Sequence, residues 1–167
     1  MATAVTAHAA DTLKVGAAAP DFTLPYATKD TIAQEPLTLS LEAKKGPILL
    51  AFYPADWSGG CTRELCSFRD DFGQFAELGV RIWGISGDYV YSHHEWAKHH
   101  NLPFELLADH DHTVGKLYNS YNPEYGQNRR AVYVIGSDGK IAFAKPVYSV
   151  RTPDDYEELK KALAALK

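Results

Sequence analysis

Cys61 and Cys66 are the only cysteines in this 167-residue chain, and both open one periodic apolar segment. Leu65, Phe68, Phe72 and Phe75 recur at three- and four-residue spacing, the stripe of an amphipathic helix. Ser58 stands where a side-chain oxygen can accept from backbone N–H groups two or three residues on, which makes it a natural N-cap. Cys61 then falls inside the first turn. Unpaired N–H groups and the positive end of the helix dipole favour an anion there, hence a thiolate. Cys61 also lies on the edge of the apolar stripe, facing a confined pocket. A nucleophilic thiol is the expected chemistry, in preference to the small buried hydrophobe that most free cysteines are.

Histidines are the other group with chemical potential. His93, His94, His99, His100, His110 and His112 crowd one part of the chain. No pair stands at the i, i+4 spacing that sets two imidazoles on one helix face, and Cys61/Cys66 lack zinc-site spacing. A solvated helix face and loop is expected, with no metal and no other cofactor.

The elements that would position Cys61 are legible on either side of it. Residues 48–52 form a short apolar run between Gly46-Pro47 and Pro54, which suits a strand buried on both faces. The cysteine helix is expected to run to about Gly79, and residues 80–85 read as a second buried strand. Ser92 and Glu95 form a capping box, with Asn101 and Pro103 closing that helix. Residues 104–107 are a weaker strand candidate and residues 113–118 a short helix. Two apolar runs, 131–135 and 141–145, flank Ser137-Asp138-Gly139 and predict a β-hairpin. Thr152-Pro153 starts a last helix with Leu159, Leu163 and Leu166 as its buried stripe. Strands alternating with helices, then a hairpin and a closing helix, give an α/β architecture.

Composition sets limits. At 46% hydrophobic the chain can bury a full core without disulfide staples, as a single domain over residues 15–167. Residues 1–14 read as a flexible N-terminal segment with the features of neither a secretory nor a transit signal. A net charge of −4 with no basic stripe argues against nucleic acid and anionic membrane as partners. Two cysteines in such a domain suggest redox chemistry in a cytoplasmic setting.

The stretch Pro54-x-x-x-Ser58-x-x-Cys61 resembles the active-site signature of the peroxiredoxins. Its continuation through Cys61-Thr62-x-Glu64-x-Cys66-Ser67-Phe68-Arg69-Asp70 is similar to the peroxiredoxin Q group, the bacterioferritin comigratory proteins. Ala19-Pro20-Asp21-Phe22, Ser92-His93 and Leu106-Leu107-Ala108-Asp109 resemble further parts of that group. The resemblance implies a thioredoxin-like fold, a central mixed sheet flanked by helices. It implies a thiol-dependent peroxidase in which Cys61 is oxidised by hydrogen peroxide or an organic hydroperoxide and Cys66 closes an intramolecular disulfide. It implies Arg130 against the Cys61 thiolate, Glu64 orienting Arg130, Ser58 meeting the peroxide and Pro54 shielding the sulfur. A thioredoxin or similar dithiol would be the reductant, and a monomer the expected state. A disulfide oxidoreductase on the same fold would need a Cys-x-x-Cys pair, which is absent. A non-catalytic redox sensor or chaperone using Cys61 as a switch is the alternative reading.

Overall fold

The apolar run at Ile48–Phe52 is buried at every residue. It becomes strand β4 of a six-stranded sheet in the computed structural model, which describes residues 13–166. β4 pairs in parallel with β5 (Arg81–Ser86), and β5 in parallel with β6 (Glu105–Ala108). On its other side β4 pairs antiparallel with β9 (Ala131–Ile135), and β9 with β10 (Ile141–Lys145). β2 (Tyr26–Ala27) closes the opposite edge, giving the order β10-β9-β4-β5-β6-β2. Two short ribbons lie apart: β1 (Thr23–Leu24) with β3 (Leu37–Thr38), and β7 (Tyr121–Asn122) with β8 (Gln127–Asn128).

Alternation along the strands divides the core in two. Leu49, Ala51, Val132 and Val134 face α2 (Gly59–Asp70), α3 (Phe72–Glu77), α4 (Val90–His100) and α6 (Pro153–Ala164). Ile48, Leu50, Phe52 and Tyr133 face the N-terminal segment, α1 (Leu39–Ala43) and α5 (Thr113–Leu117). Leu13 is buried on this second side, so the packed domain begins before residue 15. The rest of the expected N-terminal segment, residues 1–12, lies outside the described residues. No helix among them is long and apolar enough to cross a membrane.

Three expectations about elements need correction. The cysteine helix does not run unbroken to Gly79: it breaks at Asp71, and α3 restarts at Phe72. Helix α4 starts at Val90, two residues ahead of the Ser92 capping box, and Ser92 caps nothing. Its hydroxyl instead donates to Asp56 Oδ2 at 2.7 Å. His93 is not part of a solvated face but fully buried.

Gly84 explains how α2 sits so close to the sheet. A Cβ there would lie 2.7 Å from Leu106 Cδ2 and 3.2 Å from Leu65 Cδ1. The missing side chain leaves room for Leu65 of the cysteine helix and for Leu106 against this strand.

Candidate active site

β4 delivers the chain into Tyr53-Pro54 and the loop that precedes α2. A buried polar network fixes that loop. Tyr53 Oη donates to Asp56 Oδ1 at 2.7 Å, while His93 Nδ1 lies 2.9 Å from Asp56 Oδ2. Asp56 N–H donates to Asp88 Oδ2 at 2.8 Å, which also receives the Ser86 hydroxyl at 2.9 Å. His93 Nε2 is 3.2 Å from the carbonyl of Leu107. A carbonyl only accepts, so this nitrogen carries a proton. Burial, followed by the charge of Asp56, holds the Tyr53 hydroxyl well above the usual phenol range. The network ties loop, β5, α4 and β6 into one frame behind the thiol.

Ser58 closes the loop with extended backbone and caps α2, its Oγ accepting the Cys61 N–H at 3.3 Å. Cys61 therefore sits in the first turn, fully buried. The register of β4 on β9 pairs Phe52 with Ala131 and brings Arg130 alongside the start of the loop. Arg130 Nη2 lies 3.5 Å from Cys61 Sγ. Arg129 turns outward to solvent. Gly60 makes the approach possible, since a Cβ there would collide with the Arg130 guanidinium.

Glu64, one turn along the helix, is wholly buried with Oε2 3.1 Å from Arg130 Nε. The two are close but not aligned as a hydrogen bond, and neither Glu64 oxygen has another partner among the described residues. Burial pushes the Glu64 carboxyl up to about 8, against the pull of Arg130. Cys66 is half-buried on the same helix, and both cysteines are free. Burial pushes its thiol up, with Arg69 opposing the shift. Among the described residues no three His, Cys, Asp or Glu side chains gather as metal ligands.

The AhpC/TSA family matches residues 15–144. A putative peroxiredoxin bcp of Coxiella burnetii is 38% identical over 145 residues, covering 83% of this chain and 91% of that one. The chain belongs to the AhpC/TSA family, in its Bcp/peroxiredoxin Q group. Chloroplastic peroxiredoxin Q of Oryza sativa subsp. japonica is 38% identical over 130 residues, 77% of this chain but 57% of that longer protein. The crystal structure of peroxidoxin BcpB from Mycobacterium tuberculosis superposes with a TM-score of 0.81 at 30% identity. That match covers 93% of this chain and 99% of that one. Peroxiredoxins are thiol-dependent peroxidases with a thioredoxin-like fold, and the mixed sheet flanked by helices is that fold.

In this peroxiredoxin, Cys61, Ser58, Glu64 and Arg130 converge on one point, with Pro54 on its rim. Cys66 stays one and a half turns away along α2. Two recesses flank Arg130. One, of about 270 Å³, is lined by Pro54, Tyr125, Arg129, Val147 and Tyr148. The other, of about 150 Å³, is lined by Gly60, Arg63, Arg130, Tyr148 and Arg151. Asp56 and His93 escape a reading of local pattern because the bond between them spans 37 residues. Arg63 and Arg151 carry no local signal either.

Proposed function

We propose that Cys61 is the peroxidatic thiol and Cys66 the thiol that resolves it. The observation that carries this reading is the guanidinium of Arg130 at 3.5 Å from Cys61 Sγ, over the first turn of α2. A guanidinium keeps its proton at any working pH, so it holds the thiolate and the peroxide oxygens together. Sγ attacks the terminal oxygen of a peroxide. An S–O bond forms, the O–O bond breaks, and the departing oxygen takes a proton to leave as water or an alcohol. Arg130 and the N–H groups of the first turn stabilise the negative charge that passes to that oxygen. Ser58 uses a lone pair to cap Cys61 N–H, which leaves its hydroxyl hydrogen to meet the peroxide.

The sulfenic acid at Cys61 is then attacked by the Cys66 sulfur. An S–S bond replaces the S–O bond, and the proton of Cys66 leaves with the hydroxyl as water. A thioredoxin-type dithiol returns two electrons by thiol–disulfide exchange. Both thiols of the cycle lie in one chain, so a monomer in a reducing cytoplasm suffices. Neither nucleic acid nor membrane has a role in it.

Thioredoxin-linked turnover of hydrogen peroxide tests the assignment. Cys61→Ser abolishes peroxide consumption. Cys66→Ser reacts once and stops at a sulfenic acid that dimedone traps. Full turnover by Cys66→Ser would remove Cys66 from the cycle, and a single oxidation without turnover by the unmodified chain would favour the redox-sensor reading.

A further inference from the structure

Three guanidiniums, from Arg63, Arg130 and Arg151, line the smaller recess beside Cys61. They reach it from α2, from the start of β9 and from the segment after β10. Two of them lie over the opening glycines of α2. Arg130 covers Gly60, and Arg63 Nη1 comes to 4.0 Å from where a Gly59 Cβ would stand. Cations are unfavourable at a helix N-terminus, because the dipole is already positive there. Arg63 nevertheless folds back toward that end.

Little among the described residues offsets this charge. The arginines that make ion pairs among the described residues are Arg69, Arg81 and Arg130. Arg130's partner, Glu64, lies under it in the core and holds its proton up to about pH 8. Arg130 also faces the Cys61 sulfur at 3.5 Å. Arg63 and Arg151 remain, both exposed on the rim of a recess of about 150 Å³. A recess of that size accommodates a small acid group.

We propose that this recess binds the acid group of anionic hydroperoxides, with a carboxylate held by Arg63 and Arg151 while the peroxide oxygens lie against Arg130 and Cys61. The inference rests on Cys61 being the peroxidatic thiol. Planar guanidinium forks match a carboxylate, and Tyr148 walls the recess beside them. The acid group takes no part in the electron transfer. Sγ still gains the terminal oxygen, the O–O bond still breaks, and the product is the corresponding hydroxy acid. The ligands chosen for the test carry the acid a few bonds from the O–O group.

β-Hydroperoxyisovalerate and its methyl ester provide the test, since they differ in charge but not in the reacting centre. Rapid-mixing measurement of Cys61 oxidation is expected to give the acid an advantage of about tenfold over the ester at low ionic strength. Added salt erodes that advantage, and sulfate competes against the acid more than against the ester. Arg63→Ala and Arg151→Ala each lower the acid-to-ester ratio, the double variant brings it near unity, and Arg63→Lys restores part of it. Equal rates for acid and ester in the unmodified protein overturn the proposal, as does a preference that survives the double variant. If the ester and hydrogen peroxide also fail to oxidise Cys61, the peroxidase assignment fails with it. Far-ultraviolet circular dichroism on the variants separates lost recognition from lost fold.

Discussion

At the scale of single residues, Glu64 lies buried against Arg130, and burial decides the state of Glu64. The carboxyl rises from 4.5 in the unfolded chain to about 8 in the fold, chiefly through desolvation. Between those limits the folded state keeps a proton that the unfolded chain has released. The associated stability is full below the unfolded value and declines as pH rises through the folded one. Glu64→Gln retains the shape and removes the titration, so its melting temperature should fall less from about pH 5 to about pH 8 than that of the unmodified protein. Thermal unfolding across that interval checks this, and parallel profiles would show that Glu64 is already ionised. Arg130 was indicated only by the family resemblance, whereas Cys61 and Ser58 were legible in sequence because a cap and an apolar stripe are local patterns. His93 was not, because its partner Asp56 approaches only when α4 packs on the loop.

At the scale of elements, α2 keeps the two thiols apart. Five residues along an ideal helix place Cα atoms about 8–9 Å from each other on diverging faces. A disulfide needs less than about 7 Å with converging side chains. The proposed Cys61–Cys66 disulfide therefore requires part of α2 to unwind, and the structure bounds how far. On the N-terminal side Asp56 anchors the loop through Tyr53, Ser92 and His93. On the C-terminal side Arg69 Nη1 donates to the carbonyl of His100 at 2.7 Å, and Tyr156 Oη donates to Asp71 Oδ2 at 2.6 Å. Between these anchors the helix opens on two glycines and a 3.3 Å cap, a weak start. Amide exchange in the oxidised protein should be faster over about residues 59–67 and unchanged in β4, β5 and β9. Equal protection in both redox states would exclude this opening. The break at Asp71 that isolates the segment could not be read ahead, since Phe72 and Phe75 continue the apolar period straight across it.

At the scale of the whole molecule, the sheet separates a core that serves the thiol from one that serves the scaffold. Apart from β2, the strands of the central sheet were legible because an apolar run bounded by turn residues leaves few alternatives, and Ala131–Ile135 and Ile141–Lys145 form as the hairpin pattern predicts. β1, β2, β7 and β8, of two residues each, carry too few side chains to show a period. Division of the core also distributes the three tryptophans unevenly. Trp83 and Trp96 are wholly buried, whereas Trp57 is 54% exposed, four residues before Cys61. It stands in the left-handed region at φ 63°, its indole N–H donating to Ser92 Oγ at 3.2 Å beside the ring of His99. The molecule thus carries its own optical gauge. The long-wavelength edge of its emission belongs to the indole that borders the moving turn, while the two enclosed indoles supply a constant blue background. Stoichiometric peroxide should change that red edge on the timescale of disulfide closure, and reduction should return it. Trp57→Phe should silence the signal while peroxide is still consumed; a signal that persists would assign it to the core instead.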